Sequence, residues 1–127
     1  MENKGKWWLE QDLYRLARYY ARMYPQWLRE YMTFGGDAKD GYGSMRSERF
    51  KTSEPEKEAI RRDGLRQKIQ KIERAARESD RDLCEWLLLG VRENLTFMEL
   101  KGRGMPCEKD MYYDRRKKMY FILAHLL

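Results

Sequence analysis

Residues 97–120, FMELKGRGMPCEKDMYYDRRKKMY, crowd together side chains that bond to phosphate oxygens and base edges. Arg103, Lys109, Tyr112, Tyr113, Arg116 and Lys117 are the candidate contacts. A guanidinium can bond bidentately to guanine, an ammonium neutralises a phosphate, and a phenol hydroxyl reaches phosphate oxygens. This is the chemistry of duplex recognition rather than of bond making. Glu108, Asp110 and Asp114 work against it wherever they face phosphates.

Presenting such a set needs a helix held rigidly at one end. Thr96-Phe97-Met98-Glu99 is a capping box, which predicts a helix of barely two turns ending at Gly102. Gly104 and Pro106 force a turn, and the last helix is expected to begin at Cys107. Its buried stripe is read as Met111, the Arg115 stem, Met119, Ile122, Leu123 and Leu126. That stripe leaves Glu108, Lys109, Tyr112, Tyr113, Arg116 and Lys117 on the outer face. A short helix packed by Phe97 and Leu100, a turn plugged by Met105, and a longer cationic helix make up the helix-turn-helix plan, whose second helix enters the major groove.

The 127 residues and 42% hydrophobic content suit one domain with an ordinary core. A net charge of +6 favours a polyanionic partner. The excess is densest at the C-terminal end, where residues 101–127 carry seven Lys/Arg against three Asp/Glu. No run of about 18 apolar residues predicts a membrane span, and no secretory signal is expected, so a cytoplasmic protein follows. Cys84 and Cys107 lack a CxxC pattern or a nearby histidine, which argues against a disulfide framework, a zinc site or any other metal. No cofactor is implied. His125 has neither a nucleophile motif nor ligands around it, so no catalytic residue is assigned and an enzyme is not expected. Its place on the last turn suits a partly buried residue whose charge favours the helix end.

Further upstream the pattern is helical throughout. Leu9, Leu13, Leu16, Tyr20 and Met23 recur at spacings of four and three, predicting a helix over Lys6 to Met23 that Pro25 ends. A second short helix is expected from Gln26 to about Phe34. The aromatics here alternate with Arg15, Arg18, Arg22 and Arg29, which suits either stacking on single-stranded nucleic acid or a core rimmed by arginine stems. GGDAKDGYGS, residues 35–44, reads as a loop, with glycine spacing unlike any phosphate-binding fingerprint. Ser53-Glu54-Pro55-Glu56 is a second capping box. The helix it starts carries the stripe Leu65, Ile69, Ile72, Ala76, fit for an intramolecular hairpin or for pairing with a second copy. Ser79-Asp80-Arg81-Asp82 caps a further helix from Asp80 to about Asn94, whose Leu83, Trp86, Leu87, Leu88 and Val91 are too apolar to face water. The expected fold is all-α, a small helical bundle of five or six helices with a C-terminal helix-turn-helix. Its parts are an aromatic helical region over 1–34, a Gly-rich linker over 35–52 and a helical domain over 53–127.

The tail LTFMELKGRGMPCEKDMYYDRRKKMYFIL, preceded by SEPEKEAIRRDGLRQKIQKIERA, resembles small phage and prophage late-gene transcription regulators of the ArpU and RinA type. Their ends look like the DNA-binding region four of bacterial sigma factors. The resemblance covers roughly residues 53–127. It implies that Thr96 caps the first helix of the motif, that Met105 and Pro106 form its turn, and that Cys107 to Lys117 is the recognition helix. It also implies double-stranded DNA as the target, RNA polymerase or another host protein as a candidate partner, and a bacterial host cytoplasm as the setting. A homodimer remains open through the stripe on the Leu65 helix. The rival class is a small phage protein that grips another protein as inhibitor or adaptor, since aromatics and arginine also make interface hot spots.

Overall fold

Pro25, Asp80, Asn94, Thr96 and Gly104 punctuate the fold, and the helices run between them. The computed structural model describes residues 5–35 and 55–127. Among the described residues there are six helices: α1 (Gln11–Arg22), α2 (Tyr24–Gly35), α3 (Pro55–Ser79), α4 (Cys84–Glu93), α5 (Phe97–Gly102) and α6 (Lys109–Leu126). The fold is all-α, with no strand among the described residues. None of these helices is long and apolar enough to cross a membrane. The Gly-rich stretch from residue 36 onward, the Ser53 capping box and residues 1–4 lie outside the described residues.

The chain divides into two compact units, one of residues up to Pro25 with Lys71–Leu127, the other of Gln26–Gln70. The first therefore joins α1 to the C-terminal helices, where a division at residues 34 and 53 was expected. Small residues make that joining possible. Ala17 and Ala21 are buried on α1, which packs against α6 and α4. Tyr14 meets the Tyr120 ring edge-on at 5.7 Å, and the Tyr24 hydroxyl donates to Glu73 Oε2 at 2.7 Å. The buried positions are thus 17, 21 and 24, with Tyr14 half-buried beside them, one step round the helix from the expected stripe, whose Leu9, Tyr20 and Met23 are also half-buried. Leu13 and Leu16 of that stripe are 41% and 46% exposed. Two alanines let helix backbones approach more closely than leucines can, so tyrosine rings fill the flanks and the leucines face outward. α1 is also shorter than expected, starting at Gln11.

α2 begins immediately after Met23, whose N–H bonds back to the Tyr19 and Tyr20 carbonyls, and Pro25 sits in its first turn, where a missing N–H costs nothing. In the second unit Leu65 and Ile69 are buried with Trp27, while Lys68 and Arg62 lie over the Trp27 and Tyr31 rings at 4.8 and 4.4 Å. In the first unit Ile72, Ala75 and Ala76 are fully buried. All four members of the stripe on α3 are thus buried, Leu65 and Ile69 in the second unit and Ile72 and Ala76 in the first.

Asp80 Oδ1 accepts from the Asp82 and Leu83 amides at 2.9 and 3.1 Å, tightening the entry to α4. Regular helix starts at Cys84 rather than Asp80. Leu83 and Leu87 anchor it in the core as expected, while Trp86 and Val91 are only half-buried. Asn94 closes it at φ 53°, a left-handed conformation that asparagine tolerates.

Candidate nucleic-acid interface

The interface begins with a reciprocal cap. The Thr96 hydroxyl accepts from the Glu99 amide at 3.2 Å, and Glu99 Oε1 accepts from the Thr96 amide at 2.8 Å. This starts α5, with Phe97 and Leu100 on its buried side. The chain then reverses. Gly104 takes φ +103°, which a β-carbon would oppose, and the Met105 amide returns to the Leu100 carbonyl at 3.2 Å. Met105 is buried at 2% exposure, plugging the turn as the sequence suggests. Lys101 braces it from outside, its Nζ donating to the Met105 and Cys107 carbonyls at 3.3 and 3.0 Å. Cys107 is consequently a buried turn residue, and α6 starts at Lys109.

Along α6 the buried positions are Tyr112, Met119, Tyr120 and Leu123. The expected stripe shared only Met119 and Leu123 with this set, and Met111 is exposed. Tyr112, expected on the outer face, is 1% exposed. Its ring packs on Phe97 at 5.8 Å and meets Tyr113 edge-on at 5.1 Å. Gly90 is what admits it, since a β-carbon there would lie 3.0 Å from the Tyr112 hydroxyl oxygen and 3.3 Å from Leu100 Cδ1. Burial pushes the Tyr112 and Tyr120 phenols above their ordinary pKa. Tyr112 is therefore a core residue and leaves the outward-facing set on α6 that would enter a groove.

Arg116, also expected on the exposed outer face, is half-buried. Its guanidinium lies over Tyr113 at 5.1 Å, Tyr120 at 5.9 Å and Tyr112 at 6.0 Å. Burial works against its charge, but the surrounding phenol oxygens more than compensate and hold its pKa above the usual arginine value. Arg103 is exposed and sits 3.3 Å from Glu93. Lys109, Tyr113 and Lys117, at spacings of four, remain as one exposed row on α6.

The acids fall into two kinds. Asp114 pairs with Arg115, whose Nε also donates to Asp80 Oδ2 at 2.9 Å. Burial alone would raise the Asp80 pKa, but hydrogen bonds from Arg115 and from the Leu83 and Asp82 amides hold it below the usual aspartate value. Asp80 and Arg115 thus form a strut between the entry to α4 and α6, with Asp114 paired to Arg115 at its edge. Glu108 is 89% exposed on its side chain and 3.9 Å from Lys101 Nζ, and Asp110 is exposed in the first turn of α6.

One grouping escaped the sequence reading. Arg18 and Arg22 of α1 line a cavity together with Arg116, Tyr112 and Tyr120 of α6. Their spacing of four was visible as a shared helix face, but that it faces Arg116 depends on how α1 packs on α6. No family model matches the chain, and no curated protein and no solved structure matches it either.

Proposed function

We propose that the chain is a sequence-specific double-stranded-DNA-binding regulator of phage or prophage transcription, acting in the cytoplasm of a bacterial host without a cofactor. The observation that carries this reading is the exposed row Lys109, Tyr113 and Lys117 on a helix anchored by a capped two-turn helix and a plugged turn. In a helix-turn-helix, the first turns of the second helix enter the major groove while cations along it meet phosphates. Lys109 and Tyr113 occupy those first turns, Lys117 lies two turns in, and Arg103 flanks them from the turn. The pairing of Asp114 with Arg115 removes one repulsive charge from that face. RNA polymerase is the partner that the likeness to sigma region four suggests.

The test is selection of bound fragments from a random duplex pool, followed by a salt titration on the enriched sequence. One enriched motif, with affinity falling by about 0.9 log unit per log unit of salt for each phosphate contacted, is the expected result. No enrichment together with salt-insensitive binding would overturn it.

A second reading has its own support in the outward face of α1. Leu13, Leu16 and Tyr19 are exposed there, an apolar surface of the kind that protein partners cover. On this reading the chain is a non-enzymatic module that inhibits or adapts another protein. Salt-insensitive capture of a protein partner, abolished by Leu16→Glu and untouched by Lys109→Ala, would favour it.

A further inference from the structure

The cavity between α1, the end of α4 and α6 is lined by Arg18, Arg22, Arg116, Tyr112, Tyr120 and Asn94, among others, and no carboxylate faces it. Three arginines thus share one cavity lining with no acid among them. Several arginines elsewhere do have acid partners, Arg66 with Asp63, Arg74 with Glu78, Arg103 with Glu93 and Arg115 with Asp80, whereas no acid lines this cavity. Among the described residues, the Arg22 side chain has no ion pair or hydrogen bond, and the Arg18 guanidinium lies over the Tyr14 ring at 5.7 Å. Arg116 is surrounded by phenols, which orient a guanidinium through their ring faces without neutralising it.

We infer that this cavity binds one phosphate group. Convergent arginines suit an oxyanion, because each guanidinium offers a planar fork of donors that matches two oxygens at once. Three of them exceed what a single carboxylate needs and fit a dianion. The Tyr112 and Tyr120 hydroxyls add neutral donors that stay protonated, since burial raises both pKa values. The volume is about 100 Å³. That is several times the roughly 10–15 Å³ that one water requires, so a five-atom phosphate fits with waters around it.

The site is also built in advance. Arg116 is held against three rings and Tyr112 is wedged beside Gly90, so these two lose little side-chain entropy on binding, while the exposed Arg18 and Arg22 close on the anion. The phosphate can belong to the backbone of a bound duplex or to a free phosphorylated small molecule. Duplex binding by Lys109 and Lys117 does not require this pocket, and the pocket does not require duplex binding.

The experiment is calorimetric titration of the full chain with inorganic phosphate at constant ionic strength, with chloride as the reference anion. Saturable one-site binding is expected, and Arg18→Gln and Arg22→Gln should each weaken it about 10-fold, the loss of one charge-assisted hydrogen bond. Both residues are exposed, so these variants test binding without risking the core. Lys109→Ala should leave phosphate affinity unchanged. Repeating the titration with a saturating duplex separates the sources: displaced phosphate identifies a backbone phosphate in the pocket, and simultaneous binding identifies a free phosphorylated ligand. Absence of saturable binding, or an unchanged affinity in Arg22→Gln, overturns the inference.

Discussion

Two neighbouring rows of α6 use similar side chains to opposite ends. Lys109, Tyr113 and Lys117 form one row, and Tyr112, Arg116 and Tyr120 form the other, each at spacings of four. The first row is exposed. In the second, Tyr112 and Tyr120 are buried and Arg116 half-buried over their rings. A cation in the first row interacts through water and is screened within about 8 Å at physiological salt. In the second the cation is held in a fixed place at low local dielectric, where its pull on an anion is stronger and less sensitive to salt. Composition therefore does not assign a role to a lysine, arginine or tyrosine on this helix. What assigns it is which side faces α1 and α4.

The largest test of this contrast exchanges the tyrosines. Tyr112→Ala should destabilise the protein by about 3–5 kcal/mol in denaturant unfolding, the cost of deleting a core aromatic. Tyr113→Ala, one residue along and 38% exposed, should cost about 1 kcal/mol, mainly the lost edge contact with Tyr112. Similar losses for the two would erase the distinction between the rows.

Next in size is the strut that fixes α6 from its other side. Asp80→Asn should cost about 1–3 kcal/mol near neutral pH, because it weakens the hydrogen bonds from Arg115 and the turn amides. The Asp80 pKa is depressed in the folded state, so its contribution is present above the unfolded value, near 3.9, and fades as pH falls through the lower folded value. The stability gap between wild type and Asp80→Asn should accordingly narrow below about pH 4. A gap that widens on acidification would mean that Asp80 is not the stabilised carboxylate.

Smaller again is the effect of Gly90→Ala. Overpacking against the Tyr112 hydroxyl costs about 1–3 kcal/mol and improved helix propensity returns up to about 1, leaving a net loss near 1 kcal/mol. Combined with Tyr112→Phe, which removes the crowding oxygen, the loss should be less than the sum of the two single changes. Strict additivity would show that Gly90 does not make room for that hydroxyl.

The smallest stability effect belongs to the outer row. Lys117→Ala should leave stability within about 0.5 kcal/mol, weaken binding to all duplexes alike and reduce the salt slope by about one. Arg116→Ala should instead lower stability measurably, by about 1 kcal/mol, as its three ring contacts vanish. Equal behaviour of these adjacent cations in both assays would break the comparison.

How much of this was legible beforehand differs between backbone and faces. Local chemistry set the breaks: Pro25 cannot continue α1, Asn94 tolerates a left-handed end, Thr96 and Glu99 satisfy each other's amides, and Gly104 accepts positive φ. Each of these acts over at most a few residues, so the amino-acid sequence alone determined an all-α chain and where its C-terminal helices turn. The inward faces of α1 and α6 depended on more. On α1, positions 9, 13, 16, 20 and 23 compete with 14, 17, 21 and 24, and on α6, positions 111, 115, 119, 122, 123 and 126 compete with 112, 116, 119, 120 and 123, the two sets sharing only 119 and 123. Hydrophobicity favours the leucine-rich choice on α1, and tyrosine's dual character leaves α6 ambiguous. The choice was made by close approach, because Ala17 and Ala21 let α1 lie near α6, Gly90 leaves room for Tyr112, and tyrosine rings fill the gaps that remain. Only tertiary packing can rank such options, since the space that each residue must fill is defined by a partner far away in the chain.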